Sequence, residues 1–105
     1  MIFGLSVDTL DAIRRVLARH PEVDEAIVFG SRALGRAHER SDIDLALRGD
    51  LQPMDAERIA LELEELPLPI HFDVQALNSI RHRPLLDHIS RVGRSLYRRN
   101  SQAAA

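Results

Sequence analysis

The stretch that decides the fold runs from residue 29 to residue 47: Phe29-Gly30-Ser31-Arg32-Ala33-Leu34-Gly35-Arg36-Ala37-His38-Glu39-Arg40-Ser41-Asp42-Ile43-Asp44-Leu45-Ala46-Leu47. It begins at the end of an apolar run (Ala26, Ile27, Val28, Phe29), breaks at Gly30-Ser31 and crosses a basic loop. It then enters an alternating segment in which Asp42 and Asp44 stand two positions apart. Side chains two apart on a strand share a face. The two carboxylates therefore project together, while Ile43, Leu45 and Leu47 face the opposite way into a core. Carboxylates held side by side repel, and a cation or a shared proton relieves that repulsion. The stretch thus predicts a strand, a tight turn, a loop and a second strand that carries an acidic pair.

Working outward, residues 6–20 carry Leu10, Ile13, Val16 and Leu17 at helical spacing, with Ser6 or Asp8 to cap the start and His20-Pro21 to end it. Residues 23–29 form the first strand, apolar enough to be buried on both faces. After a turn at Arg48-Gly49-Asp50, residues 53–66 read as a second helix, with Pro53 suited to its first position. Pro67-Leu68-Pro69 breaks the chain. Residues 70–75 form a third strand, with Ile70, Phe72 and Val74 on one face and His71, Asp73 and Gln75 on the other. A last helix covers residues 84–92, with Leu85, Leu86 and Ile89 as its apolar stripe and Gly93 as its end. Residues 95–99 form a short terminal element that brings Leu96 and Tyr97 to the core, and residues 100–105 a frayed tail.

The expected order is helix, strand, strand, helix, strand, helix. That is an α/β (α+β) fold with a small mixed sheet, built as one domain over residues 1–99. No apolar run reaches the length of a membrane span, and the opening residues lack a basic region followed by an apolar one, so a cytoplasmic protein is expected.

Composition narrows the chemistry. The 105 residues contain no cysteine, which excludes disulfides and thiolate metal sites. All 14 basic residues are arginine, so neither a phosphate-binding lysine of the Walker kind nor Schiff-base chemistry is available. A net charge of -2 argues against direct nucleic-acid binding. His20, His38, His71, His82 and His88 show no ligand spacing on a common element, which argues against zinc.

Asp73 lies on the polar face of its strand. If that strand neighbours the second, Asp73 joins Asp42 and Asp44 in a trio of oxygen donors suited to Mg²⁺ or Mn²⁺. Two such ions ~3.5–4 Å apart serve phosphoryl displacement. Gly30-Ser31 offers backbone N–H groups and a hydroxyl to a triphosphate, and Arg32 is placed to add charge. Taken singly, these features have plainer readings. Asp42 could be a strand-entry residue, Asp44 an arginine partner, Gly30-Ser31 a turn, Arg32, Arg36 and Arg40 a solvated loop, and Glu62, Glu64 and Glu65 an exposed helix face.

Gly30-Ser31, ten residues, then Asp42-Ile43-Asp44 resembles the signature of the DNA polymerase β-like nucleotidyltransferase superfamily. More narrowly, the opening Phe-Gly-Leu-Ser, the run Phe-Gly-Ser-Arg-Ala-Leu-Gly and the closing Ile89, Val92-Gly93 and Tyr97 resemble the stand-alone minimal nucleotidyltransferase (MNT) proteins of bacteria and archaea. The resemblance implies the polymerase β-like fold and transfer of a nucleoside monophosphate, AMP from ATP, to a hydroxyl acceptor with release of pyrophosphate. By position, Gly30 and Ser31 would bind phosphates, Asp42 and Asp44 would ligate two Mg²⁺ ions, and Asp73 would complete the metal site and help activate the acceptor. Relatives of this kind are paired with a separately encoded helical HEPN-family protein, as toxin–antitoxin pairs or with the partner as substrate-binding subunit. The alternative is a non-catalytic antitoxin or regulatory subunit that occludes its partner. Self-association into a homo-oligomer is compatible with either.

Overall fold

A computed structural model describes residues 2–38 and 40–99. Helix α1 spans Val7–Ala18, followed by strands β1, Val23–Phe29, and β2, Ile43–Gly49. Helix α2 covers Pro53–Glu64, strand β3 Phe72–Ala76, a 3₁₀ turn Leu77–Ser79, helix α3 Arg83–Val92 and strand β4 Arg94–Arg98. The four strands make one sheet in the order β3-β2-β1-β4, with β2 and β3 parallel and the other two pairings antiparallel.

Local chemistry explains the elements. Ser6 caps α1 by accepting the Thr9 N–H at 3.2 Å. Asp55 reaches back to the Gln52 N–H at 2.8 Å at the start of α2, where Pro53 sits in the first turn. The α2 crossover makes the parallel β2–β3 pairing possible. Its Glu64 anchors the arrival of β3 by accepting the Phe72 N–H at 2.7 Å, and His71 pairs with the same carboxylate at 3.0 Å. Glu62 meets His20 at 3.1 Å. The acidic run of α2 is therefore more than an exposed face.

The two faces of the sheet are covered differently. Ile43, Leu45 and Leu47 of β2, Val23, Ala26 and Val28 of β1, and Phe72 and Ala76 of β3 share one core with α1 and α2, where Leu17, Ile59 and Leu63 are fully buried. Each such side chain contributes about 1.5–3 kcal/mol. The opposite face carries Phe29 and Ala46 and is covered by Ile89 of α3 and by Ile80, just after the 3₁₀ turn.

Two expectations are revised. The terminal element is a true strand, so the sheet has four strands rather than three. Leu96 is its one buried residue, and Arg14 of α1 donates to the Leu96 carbonyl at 2.8 Å. It follows α3 with only Gly93 between, because a Cβ there would lie 2.4 Å from the Ile89 carbonyl and 2.7 Å from the Ile27 side chain. The third strand also starts later than its alternation suggests, at Phe72 rather than residue 70. The tail expected at 100–105 lies outside the described residues.

Beneath this outer strand is a buried acid. Glu25 on β1 is 5% exposed and is held by Arg48 of β2 and by Arg98 of β4, the latter at 2.9 Å. Burial pushes its carboxyl up, but the hydrogen bonds from Arg98 and Ser95 and the charges of Arg48 and Arg98 outweigh it. The carboxyl ends below its ordinary range.

Candidate active site

The site lies where β1 ends and β2 begins. In the β1–β2 register Phe29 faces Asp44, so the chain leaves β1 beside that carboxylate. Gly30 makes the departure with φ +75°. A Cβ on Gly30 would lie 2.4 Å from the Asp44 carboxylate, so only glycine allows both the left-handed turn and this approach. Residues 30–36 then coil tightly. Leu34 donates to the Gly30 carbonyl at 3.1 Å and Arg36 to the Ser31 carbonyl at 2.9 Å, with Ser31 exposed at the tip.

Asp44 and Asp73 are direct partners in the parallel β2–β3 register. Ile43 and Leu45 on either side of Asp44 are fully buried in the core, so alternation turns Asp44 to the other face. Asp42 lies one residue before β2 and is exposed, as is Asp73, while Asp44 is half-buried. Burial raises the Asp44 carboxyl above its usual range, and the charges of Asp73 and Asp42 raise it further. Among the described residues, none of the three acids has an ion pair.

That all-oxygen donor set fits a hard divalent cation better than zinc or a soft metal. Among the described residues, no three His, Cys, Asp or Glu side chains already converge as a finished metal site. The carboxylates are neighbours whose convergence is incomplete.

Arg32 is placed differently from expectation. It is 2% exposed, and its guanidinium is turned onto main-chain carbonyls: Ser41 at 2.7 and 3.1 Å, Phe3 at 2.7 Å and His38 at 3.2 Å. Burial lowers its pKa, and the charge of Asp42 acts in the opposite direction. In this structure Arg32 clamps the loop and fixes the backbone next to Asp42 rather than presenting an open charge to a phosphate. It also fastens the turn at Phe3 and Gly4, both with positive φ.

His88 is the site residue that spacing did not single out. Its Nε2 accepts the Gly30 N–H at 3.1 Å, and its ring meets Phe29 edge-to-face with centroids 6.1 Å apart. Its position three residues after Leu85, on the apolar stripe of α3, was the available signal.

A glycine turn is seated on a strand carboxylate, with a second carboxylate opposite it on a parallel neighbour, the arrangement that the resemblance to polymerase β-like nucleotidyltransferases led one to expect. The chain belongs to that family: the family described as "Polymerase beta, Nucleotidyltransferase" matches residues 11–102. A comparison with curated proteins finds no match. Solved structures share the fold. A mutant form of the toxin–antitoxin MntA–HpeT aligns with TM-score 0.70 and 21% identity, covering 89% of this chain and 76% of that one. A toxin–antitoxin with AMP-PNP aligns with TM-score 0.63 and 22% identity, over 93% and 77%. The tri-AMPylated Shewanella oneidensis HEPN toxin in complex with MNT antitoxin aligns with TM-score 0.59 and 19% identity, over 91% and 75%. At these identities the likeness is one of fold.

Proposed function

We propose that this chain transfers AMP from ATP to a hydroxyl on a separately encoded HEPN-type helical protein, using Asp42, Asp44 and Asp73 as its acidic centre. The observation that carries this reading is the seat of Gly30 on Asp44, with Asp73 in register beside it. The AMPylated HEPN toxin bound to its MNT antitoxin, among the fold neighbours, supports the choice of group and acceptor.

In this reading the Ser31 hydroxyl and neighbouring amides hold the triphosphate, and Gly30 permits its close approach. Asp42 and Asp44 would hold Mg²⁺ or Mn²⁺, with Asp73 completing the set. When bound, such cations would supply charge neutralisation to the transferring phosphate. The acceptor oxygen bonds to the α-phosphorus, the bond from that phosphorus to the bridging oxygen breaks, and pyrophosphate leaves. Asp73 takes the acceptor proton. Arg32 acts at one remove, by holding the Ser41 carbonyl next to Asp42.

The test is Mg²⁺-dependent ATP binding by calorimetry, followed by transfer of labelled AMP to the co-encoded helical protein. Wild type should bind and transfer, and the Asp42→Asn, Asp44→Asn double variant should do neither. A double variant that still neutralises its partner would replace transfer by occlusion.

A further inference from the structure

His88 is the α3 side chain that reaches the Gly30–Ser31 turn. The helix lies across the sheet face that carries Phe29 and Ala46, with Ile89 buried there. His88 neighbours Ile89 and sits three residues after Leu85, which directs it toward the same face. Two contacts then fix its ring: the edge-to-face seat on Phe29 at 80° and the hydrogen bond from the Gly30 N–H to Nε2 at 3.1 Å. Accepting that bond requires a bare Nε2, so the neutral ring carries its proton on Nδ1.

The bond meets a need created by the turn. Phe29 pairs with Asp44 at the end of the β1–β2 ladder, and Gly30 leaves it with φ +75°. The Gly30 amide is thereby directed off the ladder, at a partly buried position beside a carboxylate. An amide left unpaired there is costly, and the bonds from Leu34 and Arg36 that coil the turn engage its carbonyls, not this amide.

We propose that His88 is a positioning residue for the nucleotide-binding turn. By holding the Gly30 amide, it sets where the Ser31 hydroxyl and the amides after it point relative to Asp44. This rests on the reading of Gly30 and Ser31 as phosphate contacts. His88 itself touches neither phosphate nor acceptor in this role. It differs from simple packing in one chemical respect: the contact with Phe29 survives replacement of the imidazole by another ring, whereas the acceptor does not.

That difference sets the experiment. In His88→Phe the ring contact is kept and the acceptor lost; in His88→Gln a side-chain oxygen can again accept from Gly30. Amide hydrogen exchange and calorimetric binding of ATP with Mg²⁺ are measured on both variants and on wild type. His88→Phe should lose about tenfold protection at Gly30 and bind ATP about tenfold more weakly, while Val28 keeps its protection. His88→Gln should recover both to within about threefold of wild type.

Unchanged exchange at Gly30, or unchanged ATP affinity, in His88→Phe overturns the proposal while the nucleotide site stands. Uniform loss of protection along β1 makes His88 a packing residue and overturns it too. A wild type that binds no ATP defeats the nucleotide reading itself, and the proposal falls with it.

Discussion

Asp44 and Asp73 face one another across the parallel β2–β3 pairing, and the Asp44 carboxyl is raised above its ordinary range by its burial and by the charges of Asp73 and Asp42. The folded state therefore binds a proton at Asp44 more tightly than the unfolded chain does. The stability this confers is fully present below the unfolded pKa and is lost as pH rises through the folded value. At neutral pH the ionised Asp44 is a net cost to the fold.

Asp44→Asn should then melt at the same or a higher temperature than wild type at pH 7. The advantage should shrink as pH falls toward the ordinary carboxylate range. AMP transfer should be lost at the same time. Calorimetric melting from pH 3 to pH 8 checks the sign, and a large loss of melting temperature at pH 7 would make Asp44 a structural acid.

Arg32 makes the opposite prediction. Its guanidinium serves three carbonyls in a buried setting, and a lysine ammonium has neither the reach nor the planar fork to replace it. Arg32→Lys should cost about 2–3 kcal/mol in urea unfolding. Arg36→Lys, on the exposed side of the same loop, should stay within about 0.5 kcal/mol. Equal stability of the two variants would show that the carbonyl clamp contributes little.

Glu25 adds an acid-labile element far from the site. Its carboxyl lies below the ordinary range, so its contribution is present above the unfolded pKa and is lost as pH falls through the folded value. Glu25→Gln should be less stable than wild type at pH 7, with the gap closing in acid. Urea midpoints at pH 7 and pH 3 decide it; a gap that does not depend on pH would mean that the arginine contacts are not electrostatic in origin.

Much of this was legible in the chain because the decisive signals are local. The alternation of Ile43, Asp44 and Leu45 fixes which way Asp44 faces, although β2 begins at Ile43 and leaves Asp42 outside it, and the spacing of Leu10, Ile13, Val16 and Leu17 fixes the buried side of α1. β4 was less legible, because a five-residue outer strand with one buried side chain has almost no periodicity to read. Arg32 was misplaced for a related reason. Arginine beside a glycine turn looks the same whether its fork meets a phosphate or a carbonyl, and only the folded course of Phe3, His38 and Ser41 separates the two. His88 escaped notice because its partner is a main-chain amide, which leaves no mark in a spacing pattern.

The seat of β4 against β1 also bears on how the molecule is made. The β1–β2 hairpin and the α2 crossover can fold while the chain is still emerging from the ribosome, since their partners are near in sequence. The buried Glu25 cannot acquire its Arg98 contact, nor the Gly30 amide its acceptor on α3, until residues 88–98 have been synthesised. A nascent chain stalled before that point would display its acidic strands with the turn still unset. Completion of the last helix is thus the step that supplies the Gly30 amide with its acceptor, and completion of the last strand the step that covers the open edge of β1.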